Sequence, residues 1–120
     1  MAERKLSPPD EFDKALAAHA PVFGVSLSED ERARLREYFE LVSSWNRRLH
    51  LVAPCAPAEF ATRHVLESLL AVRFIARGAS LVDVGSGAGL PIVPCLVVRP
   101  DIKAVLVESS KRKAVFLREA

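Results

Sequence analysis

Apolar positions along the chain follow two different periods, and the change falls near Gly78. Upstream of it, Phe12, Leu16 and Ala20 recur at helical spacing behind Ser7-Pro8-Pro9. Prolines suit that helix start because the first turn needs no intrahelical donor, and Pro21 ends the run. Ser28 followed three positions later by Glu31 is a capping box, after which Leu35, Phe39, Val42, Trp45 and Leu49 lie on one stripe. The pattern predicts a long amphipathic helix with Trp45 in its core. Beyond Pro54 and Pro57, the positions Phe60, Val65, Leu69, Val72 and Ile75 predict a third helix that closes at Gly78.

Downstream the pattern shortens. Leu81-Val82-Asp83-Val84 reads as a strand, Gly85-Ser86-Gly87-Ala88-Gly89 as a loop, and Leu90 to Pro94 as a helix entry. Arg99-Pro100-Asp101 punctuates the chain, Lys103 to Val107 reads as a second strand ending at Glu108, and Lys111 to Glu119 returns to helical spacing. A βαβα order is the opening of a parallel doubly wound sheet. The expected class is therefore α/β, with residues 1–78 a helical module and residues 79–120 the start of a Rossmann-like cofactor domain.

Composition adds exclusions. Lys and Arg total 17 against 15 Asp and Glu, so any basic surface has to be local. Cys55 and Cys95 are far apart with no metal-ligand spacing, which points to buried thiols in a reducing compartment and to no metal site. The opening residues lack the basic start and apolar core of a secretory leader. The richest apolar segment, Val65 to Ile75, is interrupted by Glu67 and Arg73, well short of the roughly 20 apolar residues a membrane span requires. A soluble, cytoplasmic protein is expected.

The loop carries the chemistry. Glycines at 85, 87 and 89 stand at every second position, whereas a dinucleotide fingerprint places its third glycine where Leu90 stands. No Gly-Lys-Ser/Thr follows, so a phosphate-cradling loop is excluded. Such a turn lets backbone approach a ligand and aims free amides at it. S-adenosylmethionine has no phosphates, and its cationic amino acid end suits Asp83 just upstream. Its ribose hydroxyls need a carboxylate at the tip of the second strand, where Glu108 lies 25 residues beyond Asp83. The plainer alternative is a tight turn whose glycines serve packing alone, with Glu108 a solvated strand end.

Several segments together resemble the bacterial small-subunit ribosomal RNA guanine-N7 methyltransferases, also called the glucose-inhibited division protein B family. They are Trp45-Asn46 with Leu49-His50-Leu51, Arg63-His64-Val65-Leu66-Glu67-Ser68-Leu69, the Asp83 to Pro91 loop, and Glu108-Ser109 with Lys111-Arg112-Lys113 ahead of Phe116-Leu117-Arg118. The resemblance implies a class I methyltransferase fold with an N-terminal helical extension, S-adenosylmethionine as cofactor, and transfer of a methyl group to N7 of a guanine in 16S ribosomal RNA. It implies cofactor contacts at Gly85 and Leu90, with Gly87 and Gly89 shaping the loop and Glu108 holding the ribose. Glu67 replaces the family's usual aspartate, and Ile92 stands where another glycine is common. The family also continues for roughly another half of the domain, so this stretch is expected to be incomplete, with weak or undetectable cofactor binding by itself.

N7 of guanine has an in-plane lone pair and no proton, so no catalytic acid or base is expected. Arg47, Arg48, Arg63, His64, Lys111, Arg112 and Lys113 are the candidates for contact with 16S ribosomal RNA or the small subunit. Each has a structural alternative: an ion pair of Arg63 with Glu67, a hydrogen-bonded core position for His64, a solvated helix face for Lys111 to Lys113. Two other functions stay open: a methyltransferase for a small molecule or protein, and a non-catalytic fragment with an empty glycine loop.

Overall fold

The computed structural model describes residues 5–120; the first four residues, part of the opening stretch considered above, lie outside the described residues. Helix α1 (Pro8–His19) starts where the prolines predict, with the Ser7 hydroxyl accepting the Asp10 amide at 3.3 Å. A short 3-10 turn, Ala20–Phe23, carries it to Gly24. In α2 (Glu29–Asn46) both capping-box bonds form: Glu31 N–H to Ser28 Oγ at 3.1 Å and Ser28 N–H to Glu31 Oε1 at 2.8 Å. Leu35, Phe39 and Val42 are buried as the stripe predicts. The helix stops before Leu49 because Asn46 turns on the following chain. Its Oδ1 accepts from Leu51 and Val52, and its Nδ2 donates to the Val52 carbonyl.

The third helical run, α3 (residues 57–74), is not a uniform α-helix. Its middle, Phe60–Leu66, is π-helical, and its end, Leu70–Phe74, is 3-10. Phe60, Ala61, Val65 and Leu66 are buried at intervals of five, which suits i→i+5 turns better than the 3.6-residue period read from the sequence. The hydroxyl of Thr62 donates to the Ala58 and Glu59 carbonyls, and that of Ser68 to the His64 carbonyl, so side chains compete within the ladder there. Ile75 falls just outside the run, in extended backbone.

Four aromatic rings hold these helices together. Phe12 stacks on Phe39 with centroids 4.7 Å apart, Phe60 meets Phe39 edge-on at 5.5 Å, and Tyr38 lies 6.2 Å from Phe60.

After Gly78 comes the expected βαβα unit: β1 (Ser80–Val84), α4 (Ile92–Val98), β2 (Lys103–Val107) and α5 (Lys111–Glu119). The strands pair in parallel with Leu81 opposite Ala104 and Asp83 opposite Leu106. Pro94 is tolerated in α4 because it sits in the first turn. The side of the sheet carrying Leu81, Asp83, Ala104 and Leu106 is partly covered, while Val82, Val84, Val105 and Val107 stand exposed on the other. One buried cluster runs from Phe12, Leu35 and Val65 to Ile92, Val93 and Phe116, joining residues on both sides of Gly78.

Where the period changes, a guanidinium forms the joint. Arg99 donates to the Ile75 and Ala76 carbonyls at 3.1 Å each and grips Asp101 with two bonds of 2.8 and 2.9 Å. The Gly78 amide donates to the same carboxylate at 2.7 Å. Arg99, followed by that amide, holds the Asp101 carboxyl well below the usual carboxylate range. Arg99-Pro100-Asp101, read from sequence as punctuation alone, is thus the tie between the end of α3 and the loop entering β2.

Cys95 is buried as expected, but Cys55 is only half-buried, because it lies in the loop that leads into α3. Among the described residues no helix is long and apolar enough to cross a membrane.

Candidate functional site

A parallel strand pair aims its carboxyl ends the same way, so the loop after β1 and the tip of β2 meet. They meet by direct contact: the Gly87 amide donates to Glu108 Oε1 at 2.7 Å. Glu108 Oε2 accepts the Ser110 amide at 2.9 Å, so both carboxylate oxygens are oriented by backbone. The Ser110 amide, then that of Gly87, holds the Glu108 carboxyl below its ordinary value. A carboxylate has about four acceptor positions, and two remain for a ligand.

The loop itself differs from the expectation of free amides. Gly85 and Ser86 donate to the Val107 carbonyl at 2.7 and 3.4 Å, and Gly89 donates to the Ser86 carbonyl at 2.7 Å. With the Gly87 amide on Glu108, these four donors are used within the chain. The turn therefore offers shape, and the charge comes from the carboxylates around it.

Two glycines show what that shape requires. Gly85 has φ +73°, and a Cβ there would project into open space. Gly89 has φ +83°, and a Cβ there would come within 2.6 Å of Val93 Cγ2. The first leaves room beside the strand end; the second lets α4 close on the loop. Leu90, the other residue expected at the cofactor, follows directly and is half-buried against the core.

Asp83 sits one residue before the end of β1, on the covered side of the sheet. Its Oδ2 is buried and has no hydrogen-bond partner, the one such side-chain atom among the described residues. A buried carboxylate oxygen left alone is costly, and a cationic ligand group would relieve it.

One contributor was not foreseen. The Tyr38 hydroxyl, on α2, donates to the Ala88 carbonyl in the loop at 2.5 Å, so the helical part props the turn from below. Burial pushes the Tyr38 hydroxyl far above its ordinary value, and it stays a donor. The available signal was a lone tyrosine three positions after Leu35, beside the buried stripe, where a phenol needs a partner. Tyr38→Phe leaves the Ala88 carbonyl unmet and is expected to cost about 1–3 kcal/mol in urea unfolding. An unchanged midpoint would show that the bond contributes nothing.

The basic candidates separate. Arg63 is 70 % exposed and pairs at 2.8 Å with Glu59, not with Glu67. The His64 ring packs against Phe60 with centroids 5.2 Å apart. Lys111 and Arg112 are exposed in the first turn of α5, and Lys113 is half-buried. Arg112 joins Arg47 and Arg48 around one groove with Trp45 and Leu49. Trp45 is half-buried at the edge of the core: it packs against the buried cluster, and the indole lies against Phe116 at 5.8 Å along that groove.

A glycine turn after the first of two parallel strands, with a carboxylate at the tip of the second touching it, defines a Rossmann-like α/β protein. Residues 31–120 match the family model described as GidB, rRNA small subunit methyltransferase G. The chain belongs to this family. Proteins named ribosomal RNA small subunit methyltransferase G are 43 % identical over 105 residues in Nitrosospira multiformis, 36 % over 107 in Anaeromyxobacter dehalogenans and 40 % over 99 in Pelotomaculum thermopropionicum. These alignments cover 88 %, 89 % and 81 % of this chain but 48 %, 50 % and 41 % of the relatives. The chain thus spans about half the length of the relatives it matches.

Proposed function

We propose that this chain is the cofactor-holding part of an enzyme that transfers a methyl group from S-adenosylmethionine to N7 of a guanine in 16S ribosomal RNA. The observation that carries the reading is the Gly87 amide on Glu108 Oε1 at 2.7 Å, because it puts the glycine turn and the ribose-binding carboxylate within reach of one nucleoside. Family membership and the relatives' names supply the RNA substrate.

The residues fit the cofactor. Asp83, whose Oδ2 is buried and unpartnered, would supply the negative charge for the ammonium of the amino acid end, and Glu108 would take the ribose hydroxyls on its remaining acceptor positions. The open space at Gly85 admits the tail beside the strand end, Gly87 and Gly89 hold the turn, and Leu90 packs at its rim. When bound, S-adenosylmethionine supplies an electrophilic methyl group on a sulfonium. The nucleophile keeps its own lone pair, so the protein's task is to align the two and exclude water, with no catalytic acid or base.

The test is methyl transfer by the protein that carries these residues, given methyl-labelled S-adenosylmethionine and small-subunit RNA. Label at guanine N7, located by the strand scission that N7-methylguanine permits, is the expected result. Label that persists without RNA would favour a small-molecule or protein substrate, and no transfer to RNA at all would sink the assignment.

A further inference from the structure

We infer that the groove between the end of α2 and the outer face of α5 is an RNA-backbone site, in which Arg47, Arg48 and Arg112 take phosphates above a floor of Trp45 and Leu49. The inference deepens the reading of an RNA substrate and rests on it.

Three observations bring the groove together. It encloses about 500 Å³, open to solvent, and is lined from both parts of the chain, so it exists only because the helical module packs on α5. Its three guanidiniums come from places 64 residues apart in sequence, yet face one space. Among the described residues none of the three is engaged by a carboxylate, as Arg36, Arg63 and Arg99 are, and they differ from the other unpaired arginines in facing one groove. A chain of near-balanced charge has left these three cations free in one place, and a local cationic groove is the footprint of a polyanion.

Glu119, the acid in the groove, is occupied. Its Oε2 accepts the Trp45 indole N–H at 3.2 Å, which pins the indole at the far end and leaves a charge excess on the arginine side. The groove also has a direction. It follows α5 from Arg112, in the first turn, to Glu119, in the last, a rise of about 10 Å at 1.5 Å per residue. The Arg112 end is the end nearer Glu108, four residues earlier in the chain. RNA lying along the groove would therefore have its path toward the cofactor carboxylate at the arginine end. Planar guanidiniums suit phosphate oxygens in paired bonds, so backbone contact is the role the groove fits.

The measurement is fluorescence anisotropy of a short labelled single-stranded RNA with the 120-residue chain, over salt from about 50 to 200 mM. Arg47→Gln/Arg48→Gln/Arg112→Gln is expected to weaken binding at least tenfold at the low-salt end. It should also flatten the log–log salt slope by about 2, since each lost phosphate contact on a single strand removes about 0.7. Arg34→Gln/Arg73→Gln/Arg77→Gln removes the same charge at exposed positions elsewhere and should bind as the parent does. Circular dichroism establishes that both variants fold. Equal binding by parent and groove variant, equal losses in the two variants, or no salt-dependent binding by the parent would each overturn the site. Failure of the enzymatic reading is separate: it would appear as absent methyl transfer while groove-dependent RNA binding persisted.

Discussion

Glu108→Ala is expected to remove S-adenosylmethionine binding from the protein that carries these residues, followed by amide shifts of Gly85 to Gly89 in an NMR titration, and to lower the unfolding midpoint of this chain. Both effects have one origin. The carboxylate is the acceptor for the Gly87 and Ser110 amides, so removing it frees the glycine turn and the start of α5 together, and takes away the group proposed to hold the ribose. Glu108→Gln is the sharper variant. Its shape is the same, but one of its two terminal atoms becomes a donor, so either Gly87 or Ser110 faces a nitrogen it cannot bond. Binding about tenfold weaker than the parent's is expected. The pH dependence follows from the same bonds. With the folded carboxyl held below its unfolded value, its stabilisation is present above the ordinary carboxylate range and is lost as pH falls through the folded value; Glu108→Gln should lack that acid limb. Parent-like titration by both variants would remove Glu108 from the site.

Phe12→Ala is expected to lose about 3–5 kcal/mol in denaturant unfolding, the largest effect of any single substitution considered. The ring is fully buried, stacked on Phe39 and tilted against Phe60, so its loss opens a cavity between α1, α2 and α3. The consequence reaches the site, because α2 also carries Tyr38, whose hydroxyl holds the Ala88 carbonyl. Amide shifts at Ala88 and Gly89 should therefore move in this variant although Phe12 lies far from them in sequence. A loss under about 1 kcal/mol would mean that the aromatic cluster is not the centre of the fold.

Local patterning was enough for most of the elements. The Ser28–Glu31 capping box, the prolines before α1 and the Leu35, Phe39 and Val42 part of the α2 stripe act within a few residues of chain, and these formed as read. So did the strand, turn, helix, strand and helix order after Gly78, because alternation and glycine spacing are short-range signals. The misreadings fall at the end of one helix and in the irregular turns of another. Trp45 continues the stripe, but the helix ends beside it, and Asn46 bonds to the next loop instead. Phe60 to Leu66 fits a helical period, yet the burial of Phe60, Ala61, Val65 and Leu66 together demands wider turns. Arg63 had two acids at helical distance, and it pairs with Glu59.

The candidate site divides along the same line. Asp83, the three glycines and Glu108 could be read from spacing, since a parallel strand pair sets the distance between loop and strand tip by its own geometry. The choice of donors could not. Which amides are spent inside the loop, the support of Ala88 by Tyr38, and the meeting of Arg47 and Arg48 with Arg112 all depend on how the helical part lies against the α/β part. Periodicity is carried by neighbouring residues and is written in the order of the chain. Contacts between residues 50 or more positions apart are chosen by the packing of whole faces, and only the folded molecule holds that information.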